Sequence, residues 1–152
     1  LPRVGMKCAL PVEWKNLTWF GRGPHESYDD RKESAYVGIY NGIVSEQSFP
    51  HIMPQENGNK TDNRWLEIYD DFGSGIRITG KPFFNFNIQN YSDKDLNRSK
   101  KAHTLIRGEK NWLHIDYKQM GLGGDDSWSP RVHKEFLLKN KVYHYTYAIE
   151  PL

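Results

Sequence analysis

At 152 residues the chain has the length of one domain that buries its own core, on a scale of ~100 to 200 residues per domain. Its 21 basic and 19 acidic residues leave a net charge of +2 with the signs interspersed, so no basic stripe exists for a phosphate backbone and nucleic acid is excluded as the expected partner. A lone cysteine, Cys8, excludes an internal disulfide framework and a cysteine-based zinc site, while 5 Trp, 9 Tyr and 7 Phe exclude a disordered composition.

The chain opens on LPRVGM, which reads as mid-protein sequence, so a fragment or a processed chain is expected. Neither a run of 18 apolar residues nor a charged-then-apolar leader occurs, so neither a membrane partner nor a signal peptide is expected in the sequence as given. Going along the chain, short strands are expected at residues 17–20, 35–40, 64–69 and 76–79. Turn chemistry separates them: Gly21-Arg22-Gly23-Pro24, Asn41-Gly42, Asn57-Gly58, Asp71-Phe72-Gly73-Ser74-Gly75 and Gly80-Lys81-Pro82. Phe84, Phe86 and Ile88 then alternate with Asn85, Asn87 and Gln89, the pattern of a strand with one buried and one wet face. Ser92-Asp93-Lys94-Asp95 forms a capping box with Asp in the Glu position and predicts a short exposed helix. Further strands are expected at 103–107, 112–118, 135–138 and 142–149, of which 112–118 and 142–149 carry aromatics on both faces and should lie between two layers. Many short strands divided by Gly, Pro and Asn predict an all-β antiparallel sandwich.

Candidate chemistry is sparse. Asp29-Asp30, Asp70-Asp71 and Asp125-Asp126 are adjacent pairs, but neighbours on a strand point to opposite faces, and Asp beside Gly or Ser caps the backbone of a turn. The six histidines show no zinc spacing, and no calcium loop, dinucleotide fingerprint or nucleophile elbow is present. Sequons at Asn16, Asn59, Asn90 and Asn97 matter only in a eukaryotic secretory setting. Trp128 remains. Residue statistics place a tryptophan in the core, whereas a loop shaped by Gly and Pro suits an indole offered to the C–H face of a sugar.

Five motifs in order, LPRVGM (1–6), GRGPHESYDDR (21–31), PQENGN (54–59), FNFNIQNYS (84–92) and MGLGGDDSWSP (120–130), resemble the C-terminal, small-chain-type domain of bacterial lactose-type β-galactosidases of glycoside hydrolase family 2. The likeness runs from Leu1 to about Ile149. It implies a β-supersandwich of the galactose-mutarotase-like kind, here a partial domain that spans 1–152 and lacks both the N-terminal part of the domain and the catalytic barrel. It implies that the acid/base and nucleophile glutamates, and the magnesium and sodium ions of the full-length enzymes, belong to other domains, so no catalytic residue or metal ligand is assigned here. It further implies that Trp128 is an apolar wall for the sugar, on a loop shaped by Gly123, Gly124, Asp125 and Asp126. The implied partners are a galactoside reached through the barrel, the chain's own N-terminal domains and further copies in a homo-oligomer, in a bacterial cytoplasm or periplasm. Two other readings compete. One is an independent carbohydrate-binding module in which Trp128, Trp112 and Tyr143 share a concave face; the other is a mutarotase-like epimerase needing an acid and a base from among His25, Glu26, Glu56 and His114.

Overall fold

Alternating side chains and glycine-rich turns produce the antiparallel, all-β architecture that the sequence predicts. The computed structural model describes residues 1–152. Its strands are β1 (Arg3–Pro11), β2 (Asn16–Gly23), β3 (Tyr36–Ile43), β4 (Lys60–Tyr69), β5 (Gly75–Gln89), β6 (Lys110–Gln119) and β7 (Thr146–Pro151). They form one open antiparallel sheet in the order β1-β6-β5-β4-β2-β3, with β7 also paired to β5, an arrangement consistent with a sandwich-type fold. No helix is long and apolar enough to cross a membrane.

The spine is β5. Its first half pairs with β7, from Ile76↔Pro151 to Lys81↔Thr146, and its second half with β6, from Asn85↔Asp116 to Gln89↔Trp112. The change of partner falls at Pro82, which has no N–H to donate to a ladder. The Gly80-Lys81-Pro82 sequence therefore marks an exchange of neighbours inside a 15-residue strand and not the turn expected there.

One face of the sheet carries the core. Leu17, Trp19, Leu66, Ile68, Ile78, Phe84, Phe86, Ile88, Leu113 and Ile115 are almost fully buried in one cluster, and Cys8 packs against it as a small apolar residue whose thiol burial pushes up in pKa. The opposite face of β5 and β6 is not wet. Asn85, Asn87, Gln89, His114 and Asp116 are buried too, and the segment at 55–59 lies across Asn87 and Gln89. Asn87 and Gln89 both donate to the Asn57 carbonyl, which satisfies polar groups that would otherwise be costly to bury.

Several expectations need correction. Residues 103–107 and 135–138 are not strands; 3-10 turns occupy Ala102–Thr104 and Lys134–Phe136. Ile106 is exposed, so the first segment has no apolar face to bury, and the Phe136 carbonyl closes a loop onto the Gly121 N–H instead of joining a ladder. Strand β7 is shorter than the 142–149 alternation suggests and mostly exposed, while β6 does lie between two covered faces. The short helix (α1, Asp93–Arg98) forms as predicted: Ser92 Oγ accepts from the Asp95 N–H and the Asp95 carboxylate accepts from the Ser92 N–H.

Candidate functional site

The loop from Gly121 to Phe136 leaves the end of β6 and returns to its own root, where the Gly121 N–H donates to the Phe136 carbonyl at 3.0 Å. Its conformation depends on glycine at two positions. Gly123 has φ +66° and Gly124 φ +73°, in the left-handed region that suits glycine, and a Cβ on Gly123 would lie 2.6 Å from the Arg131 carbonyl oxygen.

Asp126 then turns the chain. Its Oδ1 accepts from the N–H groups of Trp128 and Ser129, each at 2.7 Å, and Ser129 Oγ accepts from the Arg131 N–H at 3.2 Å. Asp125 reaches across the loop to His133, with Oδ2 to Nε2 at 2.6 Å. That hydrogen bond holds the Asp125 carboxyl below its ordinary pKa and raises His133 above its own. The pair is therefore fully formed between those two values. It is lost in acid as Asp125 takes a proton, and in base as His133 loses one.

At the summit the Trp128 indole is 92% exposed, while its own backbone N–H is fixed by Asp126. The core position favoured by residue statistics is thus not the one it occupies. Trp19, by contrast, is core, and Trp14 packs against that core. Trp65 lies beneath the Arg77 guanidinium and Trp112 beneath the Lys7 ammonium.

Sequence reasoning missed the anchor of the loop. Asp30 Oδ2 accepts from the Gly123 N–H at 2.8 Å, and the Arg31 guanidinium reaches the Gly123 carbonyl at 3.5 Å. The Asp-Asp-Arg run at 29–31 was the available signal, but capping had been expected only locally, and this contact spans 93 residues. Of the Asp70-Asp71 pair only Asp70 is a turn cap, its Oδ1 accepting from the Phe72 and Ser74 N–H groups, while Asp71 accepts from Asn16 and pairs with Lys15.

The candidate acids and bases of the epimerase reading are tied into other contacts. His25 and Glu26 border a common surface groove, but His25 bonds Ser34 and Glu26 accepts from the Gly58 N–H, while Glu56 and His114 are both engaged by Arg3. Trp112 lies on the His114 side of β6, whereas Tyr143 packs edge-on against Tyr117 on the other side, so these two share no face. No cluster of three His, Cys, Asp or Glu side chains could hold a metal ion.

Residues 1–149 match the family described as beta galactosidase small chain. The chain is 45% identical over 145 residues to a β-galactosidase of Vibrio cholerae serotype O1, a match covering 95% of this chain and 14% of that protein. It is 40% identical over 153 residues to a β-galactosidase of Priestia megaterium, covering 100% of this chain and 15% of that protein. A β-galactosidase of Yersinia enterocolitica is 40% identical over 145 residues, or 95% of this chain and 13% of that protein. The chain thus spans about one seventh of the length of the curated relatives it matches. With nearly every residue inside the match, the chain belongs to the β-galactosidase small chain family.

Proposed function

We propose that the chain is the C-terminal accessory domain of a β-galactosidase that hydrolyses terminal β-D-galactosyl residues, as in lactose-like substrates, with retention through a glycosyl-enzyme intermediate. The reading rests on one observation: a tryptophan 92% exposed on a loop held by an Asx turn, a cross-loop ion pair and a distant aspartate. An apolar ring presented to water at the end of so many hydrogen bonds is built to cover something. Trp128 stacks on the apolar face of the sugar, while the two carboxyl groups that perform the chemistry, and the magnesium and sodium ions, come from other domains. The rest of the chain buttresses those domains and the contacts of a homo-oligomer.

Trp128→Ala in the intact enzyme tests the reading. With stacking worth about 1 kcal/mol beyond lost area, KM for lactose and the apparent affinity for glucose as acceptor should weaken about tenfold, with kcat largely kept. A thousandfold fall in kcat at unchanged KM would place Trp128 in the chemistry and sink the stacking role. The 152-residue chain alone should not hydrolyse a nitrophenyl β-galactoside, and turnover by the purified chain would refute the accessory assignment.

A further inference from the structure

Two loops, one before β4 and one after β5, meet beside the end of β5 and half-enclose a cavity of about 210 Å³. We propose that this cavity binds a small aromatic monocarboxylate, with the ring against Phe49, Leu96 and Leu105 and the carboxylate on the Arg107 guanidinium.

The walls are set before any ligand arrives. Asn57, itself buried, clamps the first loop: its Oδ1 accepts from the Phe49 N–H at 2.6 Å, and its amide donates to the Phe49 and Gln55 carbonyls at 3.2 and 3.0 Å. The second loop is closed at its base, where the Gly108 N–H donates to the Asn90 carbonyl at 2.9 Å. A bond from the Ala102 N–H to the Ile52 carbonyl, at 3.2 Å, ties the two loops together. Preset walls lose little entropy when a ligand enters.

Size and lining favour a ring. An apolar cavity of ~150 Å³ holds benzene, so this one has room for a ring with a short acidic tail. Leu96 is the buried residue of α1, and the Phe49 and His51 rings, 4.9 Å apart, stand on the opposite wall. Apolar walls with a few polar groups are the usual make-up of a small-molecule site.

Charge selects the carboxylate. No Asp or Glu lines the cavity, and Arg107 is its one permanently charged residue. From Leu96 to Gly108 the chain carries Arg98, Lys100, Lys101 and Arg107 without a carboxylate. The acids of the helix just before them are taken up elsewhere: Asp93 lies 2.8 Å from Lys7 and 3.5 Å from His114, and Asp95 accepts from the Ser92 N–H and hydroxyl. A guanidinium with no acidic neighbour in its cavity can grip a carboxylate through two parallel N–H bonds, and the cations around it draw an anion in. One guanidinium over an apolar floor suits a single negative charge on an apolar body better than a bare inorganic ion.

The inference stands apart from the galactosidase reading, because the cavity shares no residue with the loop that carries Trp128. Calorimetric titration of the 152-residue chain with hydrocinnamate should saturate at one ligand per chain, with Kd on the order of 0.1 to 1 mM for a ligand of this size. Hydrocinnamyl alcohol, which keeps the ring without the charge, and inorganic phosphate, which keeps charge without the ring, should each bind at least tenfold more weakly. Arg107→Gln should weaken hydrocinnamate about tenfold and Arg107→Lys by less, since an ammonium keeps the charge but not the paired bonds. Arg107 is exposed, so neither variant disturbs the core. Trp128→Ala should leave the affinity unchanged. Absence of saturation in the parent chain, equal binding of the alcohol or of phosphate, unchanged affinity in Arg107→Gln, or loss of binding in Trp128→Ala would each overturn the proposal.

Discussion

Arg3→Met should destabilise the chain by about 3 to 5 kcal/mol at pH 8, the range for removing one partner of a buried ion pair. Arg3 holds three groups at once: Nε lies 3.2 Å from Asp116 Oδ2, Nη2 2.5 Å from Glu56 Oε1, and Nη1 2.5 Å from His114 Nδ1. Asp116 is 1% exposed, and burial, opposed by Arg3 and assisted by Glu56, pushes its pKa up to about 6. A carboxyl whose pKa is raised on folding gives its full stability below the unfolded value, near 4, and loses it as pH climbs through the folded one. In the parent chain that loss is therefore complete a little above pH 6. Without Arg3 the folded pKa rises further, so the loss continues toward pH 8. His114, which burial first and Arg3 second hold below its ordinary pKa, gains protons more easily in the variant and adds stability only on the acid side. The deficit should thus be small at pH 5 and grow to pH 8 in urea unfolding curves, and Asp116→Asn in the same background should recover most of it. An equal deficit at both pH values would show that Arg3 acts through packing alone.

That network also shows why sequence reading stops where it does. Arg3, Glu56, Asp93 and His114 stand far apart in the chain, and nothing in their local spacing tells that β1 will pair with β6 and bring them together. Strand β1 itself was not anticipated, because RVGMKCALP has no clean alternation and owes its extended form to β6. Elements governed by near neighbours were legible. The 84–89 alternation, the Ser92 capping box and the Asp70 turn all formed, each through contacts at most a few residues apart or through strict period two. The same division runs through the candidate site. Gly123, Gly124 and Asp126 shape the loop through their own backbone and near neighbours, which a motif can display, whereas Asp30 holds it from 93 residues away, which no local spacing displays.

Trp19→Ala should cost about 3 to 5 kcal/mol, as expected for deleting a fully buried indole. Trp19 is 1% exposed, sits edge-on to Phe86 at 5.9 Å and against Tyr40 at 5.5 Å, and donates its indole N–H to the Arg22 carbonyl at 3.1 Å. Such a loss approaches the whole stability of many domains of this size, ~5 to 15 kcal/mol, so the variant should be partly unfolded near its growth temperature. A second readout identifies the cause. The Lys60 ammonium lies 5.6 Å above the Trp19 ring with only the Gly58 carbonyl as its hydrogen-bond acceptor, and burial pushes its pKa down to about 8. An amine whose pKa is lowered on folding costs stability while it must be charged, so the parent chain should gain stability as pH rises from about 8 toward the ordinary lysine value of 10.5. Removing the indole opens a cavity beside Lys60, admits water and returns its pKa toward normal, which flattens that gain. Unfolding curves at pH 7.5 and pH 10 should therefore diverge for the parent and nearly coincide for Trp19→Ala. A loss below about 1 kcal/mol would mean that the core recloses around the missing ring, and an undiminished pH slope would mean that the indole does not shield the lysine.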